Sequence, residues 1–126
     1  MKDILKINTT ALAFMGDAAY ETAVREHLLK KGKQRPDVLH REAVRYVSAP
    51  AQAAVIKEML DELMDDEKAL VKRARNRKSI SKPKNADPVD YKWATAFESL
   101  AGYLWLSGDR ERFDWLCERA IEIVEG

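Results

Sequence analysis

Two carboxylates stand alone in the two most apolar segments of the chain. Within residues 7–20 the only acidic or basic side chain is Asp17. Within residues 93–106, tyrosine aside, it is Glu98. A charge in an apolar helix is costly unless it is paired or bound to a metal, so each acid requires a partner. If the two converge, their oxygens would suit Mg²⁺ or Mn²⁺ rather than zinc, and such an ion promotes phosphodiester hydrolysis.

Two structural interpretations remain open beside this chemistry. Asp17 follows Gly16, and this pair would also suit the N-cap of a helix that restarts at that point. Glu98 would equally suit an ion pair with an arginine or a lysine from another helix. Small neighbours such as Ala94 and Ala101 leave room for either a ligand or a partner side chain. The spacing within one sequence does not decide between these alternatives.

The net charge is only +1, but the basic and acidic residues are concentrated in different segments of the chain. Residues 68–92 hold nine basic and two acidic side chains, whereas residues 57–67 hold one lysine and six acids. A positive field over one face favours a polyanion such as nucleic acid, although a solvated surface would have the same composition. The chief candidates for contact with a sugar-phosphate backbone are Lys72, Arg73, Arg75, Arg77, Lys78, Lys82 and Lys84. A second basic cluster comprises Arg25, Lys30, Lys31, Lys33 and Arg35.

The elements that must position these residues are predicted to be helices. The five glycines and four prolines fall where helices would begin or end. Asn8 and Ser48 suit N-caps, and Asp87-Pro88 marks the start of the helix that carries Glu98. Apolar residues recur at intervals of three and four, with no alternating strand pattern. We expect an all-α fold of about six helices in one domain over residues 1–126.

Apolar periodicity also predicts which helix faces are buried. Residues 78–86 have no apolar period and are predicted to form a loop. Elsewhere the spacing indicates an inward stripe on each helix. The inward residues of the third and last helices are predicted to be Ala53, Ile56, Leu60 and Leu63, and Phe113, Leu116, Ala120 and either Ile123 or Val124.

Composition excludes several classes of protein. With 46% apolar and 34% charged residues, the chain is neither a disordered tail nor a membrane protein. The longest uncharged stretch, residues 46–56, is too short to span a bilayer, and charges near the N-terminus exclude a secretory signal. The single cysteine, Cys117, excludes an internal disulfide. These features predict a cytoplasmic protein with no membrane partner.

Two segments of the chain resemble the ribonuclease III family. The signature helix of that family is similar to LAFMGDAAYETAVREHLL, which contains Asp17. Its second acidic helix is similar to ATAFESLAGYLWL, which contains Glu98. The basic segment between them and the helix order resemble the Mini-III branch, which has no double-stranded-RNA-binding domain. The resemblance implies a Mg²⁺-dependent endoribonuclease acting on double-stranded RNA, with Asp17 and Glu98 as catalytic and metal-binding residues and Mn²⁺ as an alternative ion.

The resemblance also implies partners and products. Phe14 falls on the aromatic residue that inserts into the partner subunit in the wider family, so a homodimer is implied. The expected products carry 5′-phosphate and 3′-hydroxyl ends. The implied task is maturation of large-subunit (23S) ribosomal RNA, with a ribosomal protein or the assembling large subunit as a further partner.

The chain departs from the larger ribonuclease III pattern at two positions. That pattern has further carboxylates four residues before the aspartate and three before the glutamate, where this chain has Ala13 and Thr95. A second metal would have to use water, phosphate oxygens or the Thr95 hydroxyl. The departure motivates an alternative hypothesis, a catalytically silent protein of the same fold that binds double-stranded RNA or assists ribosome assembly. A third hypothesis is a helical adaptor whose basic segment binds acidic proteins.

Overall fold

The computed structural model describes residues 3–78 and 87–126, and every regular element within those ranges is a helix. The six α-helices are α1 (Thr9–Lys30), α2 (Pro36–Val47), α3 (Ala49–Met59), α4 (Asp65–Asn76), α5 (Pro88–Ser107) and α6 (Arg110–Glu125). Single 3₁₀ turns at Ile4–Lys6 and Leu60–Glu62 precede α1 and follow α3. The prediction of an all-α fold is confirmed. The predicted loop lies, apart from Lys78, outside the described residues.

The helices begin at the residues that their cap chemistry indicates. The Asn8 side chain accepts a hydrogen bond from the Ala11 amide at 2.8 Å, which satisfies one of the free N–H groups at the start of α1. Ser48 and Asp87 accept equivalent bonds at the starts of α3 and α5. Gly108 adopts a left-handed conformation with φ 80° and ends α5.

Helix α5 lies at the centre of the fold and packs against α1, α3 and α4. Phe97 and Leu100 on α5 are fully buried, as the predicted apolar stripe requires. The predicted inward residues of the third helix are buried or half-buried, but the helix is shorter than its apolar stripe. Helix α3 ends at Met59, so Leu60 lies in the 3₁₀ turn, and Leu63 is buried from the segment that follows the turn.

In α6 the expected Ile123 and Val124 pack half-buried against the core, and Ile121 is the more deeply buried residue near the C-terminus. The last turn is also held by polar contacts. The carboxylate of Glu125 accepts hydrogen bonds from the Tyr46 hydroxyl at 2.7 Å and from Lys31 at 2.8 Å.

A buried ion pair joins α4 to α6. The Arg112 guanidinium donates to both carboxylate oxygens of Glu67, at 2.9 and 2.8 Å. Glu67 is only 2% exposed, and the Arg112 guanidinium also lies 3.7 Å from the centre of the Trp115 ring. This bidentate geometry compensates for the removal of both charges from water.

Candidate active site

The site forms where α1 crosses α5, at a point where both helices carry a glycine. A Cβ atom added to Gly16 would overlap the backbone carbonyl of Glu98, and one added to Gly102 would overlap the carbonyl of Leu12. Only glycine permits such a close approach of two helix backbones. The residues that flank these glycines are therefore brought together across the interface.

Asp17 and Glu98 meet at this crossing, so the partner that each isolated acid needs is supplied by a distant helix. Their carboxyl groups lie within hydrogen-bonding reach of each other, with Asp17 exposed and Glu98 half-buried. Burial, and then the nearby Asp17 carboxylate, raise the pKa of Glu98 to about 8. At neutral pH and without a cation, Glu98 therefore retains a proton that it can donate to Asp17.

Both structural interpretations of these acids are wrong. Helix α1 continues without interruption from Thr9 to Lys30, so Asp17 does not cap a restarting helix. Within the described residues, Glu98 forms no ion pair with a lysine or an arginine, and its raised pKa is opposite to the effect that a cationic partner would have. Among the residues that the structure describes, the partner of each acid is the other acid.

A third polar side chain, Gln52, faces the pair from α3. It is only 2% exposed, and its amide lies close enough to Glu98 to lower the pKa of that carboxyl group in part. Even so, its Nε2 atom has no hydrogen bond of good geometry to any described residue. Sequence reasoning missed this residue. The available signal was a lone amide in the uncharged stretch of residues 46–56, one residue before the predicted inward position of Ala53.

The two positions that lack the larger family's carboxylates lie close to the site in sequence. Ala13 is 7% exposed on α1. The Thr95 hydroxyl donates to the Tyr91 carbonyl at 2.9 Å, and its lone pairs stay free to accept. Within residues 3–78 and 87–126, no three or more histidine, cysteine or acidic residues form a group that could hold a metal. The acidic part of the site is therefore the pair of Asp17 and Glu98.

The predicted RNA-binding residues fall into three groups. Arg73 and Arg75, both on α4, are engaged within the protein: Arg73 donates to the Leu5 carbonyl at 3.2 Å, and Arg75 lies 4.9 Å from the centre of the Trp93 ring. The second group, Lys72, Arg77 and Lys78, has exposed side chains that form no ion pair with any described residue. The remaining two candidates, Lys82 and Lys84, lie outside the described residues.

Phe14 lies on α1, three residues before Asp17, and its side chain is 73% exposed. It is more exposed than any other large hydrophobic side chain in the described part of the chain. An aromatic residue in this position leaves a large apolar surface in water.

Comparison with known proteins identifies the family to which this geometry belongs. Residues 10–109 match the family model described as Ribonuclease III domain. The chain belongs to the ribonuclease III family. It is 52% identical over 119 residues to the Mini-ribonuclease 3 of Brevibacillus brevis, covering 94% of this chain and 89% of that protein. It is 47% identical to the Mini-ribonuclease 3 of Streptococcus pneumoniae, covering 100% of both chains.

A solved structure agrees with this assignment. The crystal structure of a protein from Fusobacterium nucleatum superposes with a TM-score of 0.84 at 30% identity, covering 97% of this chain and 98% of the other. Membership in the ribonuclease III family, and similarity to its Mini-III branch along nearly the whole chain, make this protein an endoribonuclease. None of the described helices combines the length and apolar character needed to cross a membrane.

Proposed function

We propose that this endoribonuclease cuts double-stranded RNA in a Mg²⁺-dependent reaction, with Asp17 and Glu98 as catalytic and metal-binding residues. The observation that carries the proposal is the contact between these two carboxyl groups at the crossing of α1 and α5. Two acids placed against each other, with no basic partner among the described residues, leave their oxygen atoms available to a cation.

The residues present fit a hard divalent cation. Carboxylate oxygens are the preferred ligands of such a cation. The negative charge of Asp17 helps to raise the pKa of Glu98, and a bound cation would relieve this repulsion between the two carboxylates. Mg²⁺, or Mn²⁺ in its place, would supply Lewis-acid activation of the phosphodiester and of water. Asp17 and Glu98 would hold the ion, and Glu98 would release its proton on binding. Because Asp17 is exposed, a phosphate group can approach the pair from solvent.

The substrate proposal depends on the basic residues within the range 72–84. The side chains proposed to contact phosphates are Lys72, Arg73, Arg75, Arg77, Lys78, Lys82 and Lys84. A-form RNA is recognised mainly through its shape, its phosphates and its 2′-hydroxyls, which cationic side chains at the end of α4 would suit. Of the described members, Lys72, Arg77 and Lys78 are the most available, because they are exposed and unpaired within the described residues.

The exposure of Phe14 supports a homodimer. A second subunit that covers this side chain would bury most of an aromatic ring next to Asp17, a gain of about 2 kcal/mol per ring. Two sites related by the two-fold axis would each cut one strand of a duplex. Replacement of Phe14 with Ser should convert the dimer to a monomer in analytical ultracentrifugation, and an unchanged sedimentation coefficient would contradict this part of the proposal.

The cellular role proposed is the maturation of large-subunit (23S) ribosomal RNA in the cytoplasm. Support comes from the similarity to Mini-ribonuclease 3 proteins over nearly the whole chain. The products would carry 5′-phosphate and 3′-hydroxyl ends. Cleavage of a 23S precursor, alone and with large-subunit ribosomal proteins, would show whether a protein partner remodels the RNA first.

The decisive experiment is cleavage of a long RNA duplex and its single-stranded control, with Mg²⁺ or with EDTA. We expect the wild type to cut only the duplex and only with the metal, and Asp17→Asn to lose at least about 100-fold in rate while still binding the duplex. The matched control is Glu26→Gln, an exposed acid on the same helix. Binding without cutting would favour the silent RNA-binding protein, and equal binding of any polyanion would favour the adaptor.

A further inference from the structure

Gln52 is a buried polar residue that the acid pair alone does not explain. Two other buried polar side chains, Glu67 and Ser99, have partners within the described part of the chain. Glu67 is paired with Arg112, and the Ser99 hydroxyl lies 2.7 Å from the Thr9 carbonyl. Gln52 instead places an amide nitrogen without a hydrogen bond of good geometry next to the Glu98 carboxyl group.

This arrangement costs stability. A buried donor that lacks a full hydrogen bond destabilises a fold by about 1–3 kcal/mol, and an apolar side chain of the same volume would avoid that cost. The neighbours of Gln52 on α3 are apolar and buried, among them Ala53, Val55 and Ile56. A polar residue that weakens the core at the edge of a candidate active site is the expected signature of a functional requirement.

We propose that Gln52 is a positioning residue, whose Nε2 group donates a hydrogen bond to the ionised Glu98 carboxylate and holds it beside Asp17 for a divalent cation. The inference rests on the proposed function for the metal. A glutamine suits this task because it orients a carboxylate without neutralising it. A lysine or an arginine at the same point would form an ion pair with Glu98 and repel the cation.

The test uses Gln52→Met, which removes the amide and keeps the length and approximate volume of the side chain. Mg²⁺ is titrated into the metal-free protein and followed by ¹H–¹⁵N NMR, which also measures weak affinities. We expect the dissociation constant for Mg²⁺ to rise by about tenfold, a typical loss when a residue that orients a metal ligand is removed. In cleavage assays kcat should fall while KM for the duplex stays within twofold of the wild-type value, because Gln52 is too buried to touch RNA.

Tyr20→Phe is the matched control. The Tyr20 hydroxyl is also buried without a hydrogen-bond partner among the described residues, but it lies toward Cys117 and Tyr46 rather than toward the acid pair. Both substitutions should leave the melting temperature unchanged or raise it. Only Gln52→Met should weaken Mg²⁺ binding, so an effect on packing is separated from an effect on the metal site.

A Gln52→Met variant with a native spectrum and a wild-type Mg²⁺ affinity would overturn the inference. If Gln52→Met fails to fold, Gln52→Leu is tested in the same titration. A wild type that binds neither Mg²⁺ nor Mn²⁺ would also overturn it. If the wild type binds Mg²⁺ but does not cut duplex RNA, the proposed function fails, and the titration still decides the role of Gln52.

Discussion

Gly16 on α1 lies directly against the backbone of Gly102 on α5, at a separation that leaves no space for a Cβ atom on either residue. The close approach has a functional consequence, because Asp17 adjoins one glycine and Glu98 lies one helical turn before the other. Side chains one turn apart lie on the same face of a helix. The distance between the two acids is therefore set by the backbone contact.

We predict that Gly102→Ala separates the acids and destabilises the fold. The added methyl group collides with the backbone carbonyl of Leu12, which cannot rotate away as a side chain would. Overpacking of this kind costs about 1–3 kcal/mol, partly offset by the higher helix propensity of alanine. Urea denaturation should show a loss of about 2 kcal/mol, and duplex cleavage should fall by more than tenfold.

Gly32→Ala serves as the control for this prediction. Gly32 has φ 87°, but no atom lies within 4 Å of the position its Cβ would occupy. Its replacement should cost about 1 kcal/mol from backbone strain alone, with cleavage unchanged. Wild-type stability in Gly102→Ala would contradict the rigid-contact account.

The sequence predicted the helices well because their signals are local. Asn8, Ser48 and Asp87 each cap the helix that follows them, and a cap depends only on residues a few positions away. The isolation of Asp17 and Glu98 likewise marked both acids as needing a partner. Their contact and the role of Gln52 could not be derived from spacing, because both depend on how distant helices pack.

Glu98→Gln should stabilise the metal-free protein. Since burial and Asp17 raise the pKa of Glu98 from its ordinary value of 4.5 to about 8, the folded state holds this proton more tightly than the unfolded chain. The stability associated with that proton is fully present below pH 4.5 and is lost as the pH rises to 8. In EDTA we expect the variant to melt about 3 °C above the wild type at pH 8, with no difference at pH 4.5.

Saturating Mg²⁺ should reduce the difference in melting temperature between Glu98→Gln and the wild type. The cation relieves the repulsion between Asp17 and Glu98 in the wild type, whereas in the variant it has one carboxylate ligand fewer. Differential scanning fluorimetry from pH 4.5 to 9 provides the measurement. The control Glu26→Gln lies exposed on α1, away from the acid pair. A variant that is less stable than the wild type at pH 8 without metal would show that Glu98 is paired with a cationic group.

Arg112→Ala should be among the most damaging single substitutions outside the site. It leaves the Glu67 carboxylate, 2% exposed, without its bidentate partner, and it removes the stacking on Trp115. Loss of one member of a buried pair costs about 3–5 kcal/mol, whereas an exposed pair is worth less than about 1 kcal/mol. Chemical denaturation of Arg112→Ala should therefore show a far larger loss than Arg25→Ala, which breaks the exposed pair with Glu21. Equal losses would contradict this account.

Glu125 should make the last turn of α6 sensitive to acid. Hydrogen bonds from Lys31, His27 and Tyr46 lower the pKa of Glu125 to about 2. The stabilisation is fully present above pH 4.5 and is lost as the pH falls toward 2. Glu125→Gln should cost about 1 kcal/mol at pH 7, a modest value because the side chain is 32% exposed, and nothing at pH 2. The free energy of unfolding of both proteins is measured by urea denaturation from pH 7 to pH 2. A difference between them that does not change with pH would show that the charge of the carboxylate is unimportant.

The end of α4 should contribute directly to the salt dependence of RNA binding. Arg77 and Lys78 are exposed and have no ion pair with any described residue, so both are available to neutralise phosphates. Replacement of both with alanine should flatten the slope of log K against log salt by about 1.8, because each phosphate contact on a duplex contributes about 0.9 to the slope. The measurement is fluorescence anisotropy of a labelled duplex between low and moderate KCl, with EDTA present to prevent cleavage.

The comparison variant for this prediction is Lys30→Ala/Lys33→Ala, which removes two charges from the second basic cluster. It changes the net charge of the protein by the same amount, so a general electrostatic effect would appear in both double variants. A flatter slope only in Arg77→Ala/Lys78→Ala places the duplex at the end of α4. A flatter slope only in the comparison variant would place it instead beside the C-terminal end of α1, where Lys30 lies, and would overturn the proposed RNA contacts while leaving the acid pair as the candidate active site.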